Sequence, residues 1–432
     1  MASNRHPRSF VILTGGGTAG HVLPALEVAR ELITQGCPIE SIIYVGTQRG
    51  VGIELVEAEG ISCVAMAGRG LSGHNPLNYL LAVLALSKAL IKACRLMINR
   101  RPRITFSTGG YGGMAIGLAS VIFRVPLVVF EPNAKAGRTN KVLARLASKN
   151  AVSFLECGLP NSIETGTPVR KEVLRWSPLF QPEDLTEHNQ SEDQLESKPS
   201  EDQLEPSGIY ESSAKKLKQS ARHIQKIGPD VFQLFAFGGS LGSRRINVSI
   251  AQLIEIVANK MSDSSGSKLS IRHAVGERDW DEFRSKVLDK PLGLSIVIDE
   301  LDCFELSGAN FIYHALRYER NMDVALASAD LVIGRSGALT IAELCVIGKP
   351  SILVPLPNSP GDHQLANARI LSDAGAAIII EDSNLDGAEL WKVVEKLSKD
   401  KITLEKMCNS AIRLAKPQAT QQITKLLYDL AK

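Results

Sequence analysis

The stretch from Ala329 to Ala376 constrains the fold more than any other part of the chain. Leu331–Ile333 is a short apolar run ending at Gly334, the pattern of a buried strand meeting a loop. Ala338–Ile347 carries apolar residues at helical spacing, and Gly348-Lys349-Pro350 stops it. Ser351–Val354 is the next buried run. This is one β-α-β unit, and ligands of open α/β sheets sit at the loops on the carboxyl ends of such strands. The loop before the helix, Arg335-Ser336-Gly337, has small residues and unpaired backbone N–H groups, so it favours an anion or a carbonyl-rich ring. Glu343 lies in the first turns of the same helix. Its carboxylate is either an acceptor for two ribose hydroxyls or a solvated helix residue favoured by the dipole.

The N-terminal half repeats the alternation. Ser9–Leu13 reads as a strand, followed by Thr14-Gly-Gly-Gly-Thr-Ala-Gly20-His21 and a helix to about Gln35. Gly15, Gly17 and Gly20 satisfy G-x-G-x-x-G, which permits a tight turn and close approach of a phosphate or sugar. A dinucleotide site also wants a carboxylate at the end of the second strand. That strand ends Tyr44-Val45-Gly46-Thr47, which argues against a nicotinamide oxidoreductase. His21 stands at the helix start, where the dipole favours a neutral imidazole able to take a proton. The alternative is a capping histidine, and the adjoining glycine loop favours the first reading. Ile104–Ser107 leads into a second glycine loop, Thr108–Gly113, and Val125–Phe130 into Glu131-Pro132-Asn133. Asn133 can donate and accept toward sugar hydroxyls or an acetamido group. Glu131 is a second candidate base or a charge partner. Lys135–Arg145 reads as a basic helix, and Gly166-Thr-Pro-Val-Arg170 closes this half.

Within Leu77–Arg103, Tyr79–Leu86 is uninterrupted apolar sequence, followed by Lys88, Lys92 and Arg95 on one helical face and by Arg100, Arg101 and Arg103. So short an apolar run cannot span a bilayer. The helix either lies on an anionic membrane surface or is a core-facing helix with a solvated basic face.

In the C-terminal half, Val231–Phe237 reads as a strand leading into Gly238-Gly-Ser240-Leu-Gly242 and a helix, a cradle for phosphate. Arg244 and Arg245 face that phosphate or form a solvated pair. Ile271–Val275, Leu294–Ile298 and Asn310–Ile312 are further strands. The alternation predicts an α/β fold of two Rossmann-like domains, residues 1–170 and 230–415, with the helix at 416–432 returning to the first. Residues 176–229 read as a linker. Within it, Ser-Glu-Asp-Gln-Leu-Glu occurs at 191–196 and again at 200–205, too polar to bury a core and expected to be a mobile acidic loop. Residues 181–206 carry a charge of −8, so in a chain of net charge +3 the remainder stands at +11. Such a body suits diphosphates or anionic lipid surfaces. An aromatic content of 5% without basic-aromatic interleaving argues against nucleic acid. The seven cysteines form no C-x-x-C pair, which is expected of a reducing compartment, and no export segment is expected at the N-terminus.

Arg335 through Glu343, with His363-Gln-Leu-Ala-Asn-Ala368 downstream, resembles the nucleotide-sugar site of the MurG family, the N-acetylglucosaminyltransferases of peptidoglycan synthesis. The match extends to Gly238–Ser243, with Leu241 and Ser243 where relatives carry Gln and Ala, and to Pro168-Val-Arg170, with Thr167 for Asn. It also extends to Gly109-Gly-Tyr111, although Gly112–Ala115 departs from the family's Val-Ser-Gly-Pro. The resemblance implies the GT-B arrangement, two Rossmann-like domains facing a cleft. It implies that the donor is UDP-N-acetylglucosamine, and that the acceptor is undecaprenyl-diphospho-N-acetylmuramyl-pentapeptide, attacking through its C4 hydroxyl with inversion. The implied substrate contacts are Thr18, Ala19, Gly20, Asn133, Arg170, Ser240, Ala338, Leu339, Thr340, Glu343 and Gln364, with Glu319 offering its backbone to the uracil. His21 is the implied general base and Glu131 the alternative. Helix N-termini would meet the charge on leaving UDP, so neither a metal nor another cofactor is demanded. The resemblance places the chain peripherally on the cytoplasmic face of the inner membrane, docked through Leu77–Arg103. Two other readings stay open, a related inverting transferase with another lipid acceptor and a non-catalytic nucleotide-sugar-binding protein. Retention of His21, Glu343 and Gln364 together argues against the second.

Overall fold

The computed structural model describes residues 9–17, 19–47, 52–66, 76–180, 217–225, 227–228, 230–239, 241–260, 268–290 and 292–432. The acidic stretch at 181–206 lies outside them. Two compact units emerge, one of 1–171, 360–363 and 416–432, the other of 172–359 and 364–415.

The first unit holds seven strands, β1 (Val11–Thr14), β2 (Ile42–Thr47), β3 (Ser62–Met66), β4 (Ile104–Ser107), β5 (Leu127–Glu131), β6 (Lys149–Val152) and β7 (Ser162–Glu164). Their spatial order is β3-β2-β1-β4-β5-β6-β7, with every pairing parallel. Central strands β1, β4 and β5 are buried along their whole length, as expected where helices cover both faces of a parallel sheet. Strand order reverses between β1 and β4, so a crevice opens at their carboxyl ends. Helix Ala19–Thr34 packs on one face through Val22, Leu26 and Ala29, and the C-terminal helix Ala419–Leu430 joins the same core through Ile423 and Leu427. Helix Pro76–Arg100 covers the other face through Ala89, Ala93 and Met97.

The second unit holds β8 (Val231–Phe237), β9 (Lys268–Ala274), β10 (Ser295–Asp299), β11 (Cys303–Ser307), β12 (Phe311–Leu316), β13 (Leu331–Gly334), β14 (Ser351–Leu353) and β15 (Ala377–Ile379). The order is β10-β11-β12-β9-β8-β13-β14-β15. It is parallel from β12 onward, but β10, β11 and β12 form an antiparallel edge that the sequence reading did not contain. Here the reversal falls between β8 and β13.

The two ends of the segment expected as a linker pack on this unit. Trp176 is buried, and its indole Nε1–H donates to Asp323 Oδ2 at 2.9 Å, as does the Arg175 guanidinium. Beyond the undescribed stretch, Lys218 and Arg222 both pair with Asp330, which also accepts from the Gln233 backbone N–H at 2.7 Å. Lys349, read from sequence only as a helix stop, is buried. Its ammonium donates to the carbonyls of Ala327 and Ala329 at 2.6 and 3.0 Å, and burial lowers its pKa to about 7.

Candidate functional site

In the first unit the predicted residues gather at the switch point. The loop after β1 and the loop after β4 touch backbone to backbone. A Cβ on Gly110, whose φ is +77°, would lie 2.6 Å from Gly16 Cα, so only glycine fits there. Thr108 ties the two loops together, its Oγ1–H donating to the carbonyl of His21 at 2.8 Å. His21 is half-buried on the first turn of helix Ala19–Thr34. Burial pushes its pKa below 6.5, Glu131 pulls it back up, and His363 adds to the lowering. The imidazole is therefore held neutral, the form a base requires. Ala19 and Gly20 open that helix, and Thr18 lies outside the described residues.

Glu131 ends β5 and is 1% exposed. Its Oε1 accepts from the backbone and side-chain N–H of Asn133 at 3.1 and 2.9 Å. Its Oε2 accepts from Gly137 N–H and Asn140 Nδ2, both at 2.9 Å. Four donors on one buried carboxylate shape the 131–140 loop and aim Asn133. This geometry fits the charge-partner reading of Glu131. Glu131→Ala should leave buried donors unpaired at a cost of about 3 kcal/mol, lowering the melting midpoint by roughly 6–12 °C. Calorimetry checks it, and an unshifted midpoint would show the carboxylate to be dispensable to the loop. Arg170 is half-buried at the end of this unit, beyond Thr167, whose Oγ1 meets Ser153 Oγ at 2.5 Å.

In the second unit the loops after β8 and β13 meet across the other switch point. Arg335 joins them. Its guanidinium donates to Ser243 Oγ at 2.7 Å and to the carbonyls of Val354 and Pro355, and it pairs with Asp382 at 2.6 Å. Four loops are thus gathered by one side chain that the sequence reading quoted but gave no role. Gly242, at φ +81°, packs so closely on Val275 that a Cβ would sit 2.2 Å from its carbonyl oxygen. Ser240 lies outside the described residues. Ser336 is fully buried, and its hydroxyl donates to the carbonyl of Gln364 at 2.7 Å. Asn367 Nδ2 donates to the carbonyl of Ser336 at 3.1 Å, and Gln364 Oε1 accepts from Leu356 N–H at 2.9 Å. Helix Ala338–Ile347 therefore begins from a fixed turn, with Ala338 buried and Leu339 and Thr340 half-buried.

Glu343 is only 4% exposed, so the solvated-helix alternative falls. Arg244 pairs with Glu282, and Arg245 donates to the carbonyls of Asp382 and Ser383. Both guanidiniums are exposed, and each is partnered within the unit rather than with the other. Glu319 is buried, its carboxylate accepting from Arg272 and from Asn321 N–H. Two carboxylates at a spacing suited to a metal, Asp279 and Asp281, escaped the sequence reading. Asp279 accepts from Arg278 at 2.7 Å and from Asn247 at 3.1 Å, and Asp281 pairs with Arg317.

Residues 11–152 match the glycosyltransferase family 28 N-terminal domain, and residues 233–423 match its C-terminal domain. The UDP-N-acetylglucosamine–N-acetylmuramyl-(pentapeptide) pyrophosphoryl-undecaprenol N-acetylglucosamine transferase of Desulforudis audaxviator is 34% identical over 427 residues, covering 98% of each chain. Its namesake from Desulforamulus reducens is 30% identical over 419 residues, 96% of each. The MurG crystal structure from Acinetobacter baumannii superposes with a TM-score of 0.68 at 25% identity, over 98% of this chain and 99% of that one. The chain belongs to the MurG family. It is a glycosyltransferase, and its two Rossmann-like units are those of the GT-B class. Within a MurG-family chain the two switch points are the expected substrate loci, and they hold His21, Glu131 and Asn133 in one unit and Arg335, Ser336, Glu343 and Gln364 in the other.

Proposed function

We propose that this protein transfers N-acetylglucosamine from UDP-N-acetylglucosamine to the C4 hydroxyl of an undecaprenyl-diphospho-N-acetylmuramyl-pentapeptide, with inversion at the anomeric carbon. The near full-length kinship with transferases of that name carries the reading. In it, neutral His21 takes the acceptor proton as the hydroxyl attacks. Glu131 fixes Asn133 toward the acetamido or hydroxyl groups. Glu343 accepts the ribose hydroxyls, and Gln364 reads the sugar. The N-terminus of helix Ala338–Ile347 points partial positive charge at the departing diphosphate, so the reaction as read here asks for no metal. The test is acceptor-dependent UDP release from the purified protein with a short-chain lipid-linked muramyl-pentapeptide. Donor binding without release would sink the reading.

The reading also docks the chain peripherally on the cytoplasmic leaflet, where the acceptor lies. Support comes from helix Pro76–Arg100. Opposite its buried face, Leu84, Ile91 and Ile98 are 50%, 55% and 54% exposed, interleaved with exposed Lys88 and Arg95. The adjoining helix Gly110–Ile122 ends in exposed Ile122 and Phe123 beside Arg124. Among the described residues no helix is long and apolar enough to cross a membrane. An exposed apolar stripe edged by cations is the chemistry of an anionic lipid surface. The double variant Ile91→Glu, Ile98→Glu should weaken sedimentation with anionic phospholipid vesicles by at least about tenfold. Turnover of a short-chain, water-soluble acceptor should be unchanged. Undiminished vesicle binding would move the docking surface elsewhere.

A further inference from the structure

Helix Met322–Ser328 is fastened through a carboxylate that no step of the reaction uses. The helix is seven residues long, and its N-cap, Asn321, makes no side-chain capping bond. So short a helix has little stability of its own. Its first turn is held from outside. Asp323, 8% exposed, accepts through Oδ2 from the Trp176 indole N–H at 2.9 Å and from the Arg175 guanidinium at 2.5 Å. That guanidinium lies over the Trp176 ring, 5.1 Å from its centroid.

The loop that feeds this helix, 317–321, leaves β12 at the carboxyl edge of the sheet, the edge that holds the second-unit crevice. It is pinned at alternate positions. The Arg317 carbonyl accepts from Gly276 N–H at 3.0 Å. The Glu319 carboxylate turns inward to Arg272 and accepts from Asn321 N–H at 2.9 Å. Asp323 is the last pin. Between the pins Tyr318 and Arg320 are exposed, and among the described residues the backbone N–H groups of Tyr318, Glu319 and Arg320 meet no acceptor. Free main-chain donors and acceptors can read the edge of a base, and they do so best when their spacing is fixed beforehand.

We propose that Asp323 is a positioning residue for recognition of the donor's base. By tying the helix start to Arg175 and Trp176 it fixes the backbone of 318–320 against the pairing edge of uracil. The inference rests on the donor reading above and on the uracil falling at Glu319, as the resemblance to the family implies. Uracil presents an acceptor O4 beside a donor N3–H, and cytosine presents the reverse. A fixed main-chain N–H and C=O match the first and oppose the second. Ribose and diphosphate are common to both nucleotides, so the effect of Asp323 is confined to the base.

The test is calorimetric titration of UDP and of CDP into the full chain, joined to steady-state kinetics. Wild type should prefer UDP by at least about tenfold. Asp323→Ala should cut that preference about five- to tenfold through weaker UDP binding, with CDP affinity within about twofold of wild type. Its KM for UDP-N-acetylglucosamine should rise by the same factor, while kcat at saturating donor and the KM for acceptor hold. Asp323→Asn, whose amide oxygen can still accept from Trp176, should recover most of the preference. Trp176→Phe, which keeps a packed ring without the N–H, should lose part of it. An undiminished UDP preference in Asp323→Ala overturns the proposal. So does an equal loss of UDP and CDP affinity, the mark of a general loosening of the unit. If Asp323→Ala does not melt cooperatively, an undiminished preference in Trp176→Phe is the overturning result. A wild type that binds UDP and CDP alike sinks the donor reading itself, and this proposal with it.

Discussion

His21→Ala should lower acceptor-dependent turnover by about 10²–10⁴-fold, the usual worth of a positioned base, while the KM for UDP-N-acetylglucosamine stays within a few-fold. The imidazole sits in the first-unit crevice, where the Thr108 hydroxyl grips its own carbonyl at 2.8 Å, so deletion beyond Cβ leaves the backbone in place. The sign of the pH dependence follows from the environment. Burial is the dominant influence and disfavours the imidazolium, Glu131 opposes it, and the net effect lies below 6.5. A base works only when neutral. The wild-type plateau in kcat/KM should therefore persist as pH falls through 6.5, and decline only below it. Removing Glu131 takes away the one raising influence, so Glu131→Ala should move the acid limb to still lower pH in whatever activity survives. If Glu131 were the base, its loss would erase the limb instead. A His21→Ala enzyme keeping more than about a tenth of wild-type turnover would fall outside the range for general base catalysis and would move the role elsewhere. An acid limb at or above 6.5 would contradict the burial of the ring.

Much of this arrangement is written locally. Ile104–Ser107 and Val231–Phe237 were readable to the residue because each is a short segment rich in β-branched or aromatic residues that runs into a glycine loop. The same rule fails at the sheet edges. β3 reads Ser-Cys-Val-Ala-Met and β7 reads Ser-Ile-Glu, both short and half-exposed. β11 and β12 alternate well, but an antiparallel pair at the rim of a parallel sheet is set by its neighbours rather than its own pattern. In the site, glycine spacing located both loops, because close backbone approach leaves no room for a side chain. What the sequence could not give was the partner of each polar group. Whether Glu131 is a base or a clamp depends on Gly137 and Asn140, six and nine residues on, folding back over it. Arg335 looked like a motif letter, yet its partners Ser243 and Asp382 are 92 and 47 positions away in sequence and are visible only when the sheet order is known.

Glu343 carries the second large expectation. Helix Ala338–Ile347 is apolar almost throughout, and Glu343, its one carboxylate, is 4% exposed. Its place in the second turn, beside the loop that Arg335, Ser336 and Asn367 hold rigid, suits a pair of adjacent hydroxyls. Hydrogen bonds to a charged acceptor contribute about 1.5–3 kcal/mol each, so two ribose hydroxyls account for roughly 10²-fold in affinity after partial offset. Wild type should accordingly bind UDP about 10²-fold more tightly than the 2′,3′-dideoxy diphosphate by calorimetry. Glu343→Ala should bind the two nearly equally, at the weaker level. Glu343→Gln, which keeps the shape and one acceptor oxygen, should fall between them, and its unchanged melting midpoint would separate lost recognition from lost folding. The comparison is a cycle between one side chain and two hydroxyls, and so isolates their coupling from everything else UDP touches. Discrimination that survives in Glu343→Ala would give the ribose to another group and leave this carboxylate a purely internal role.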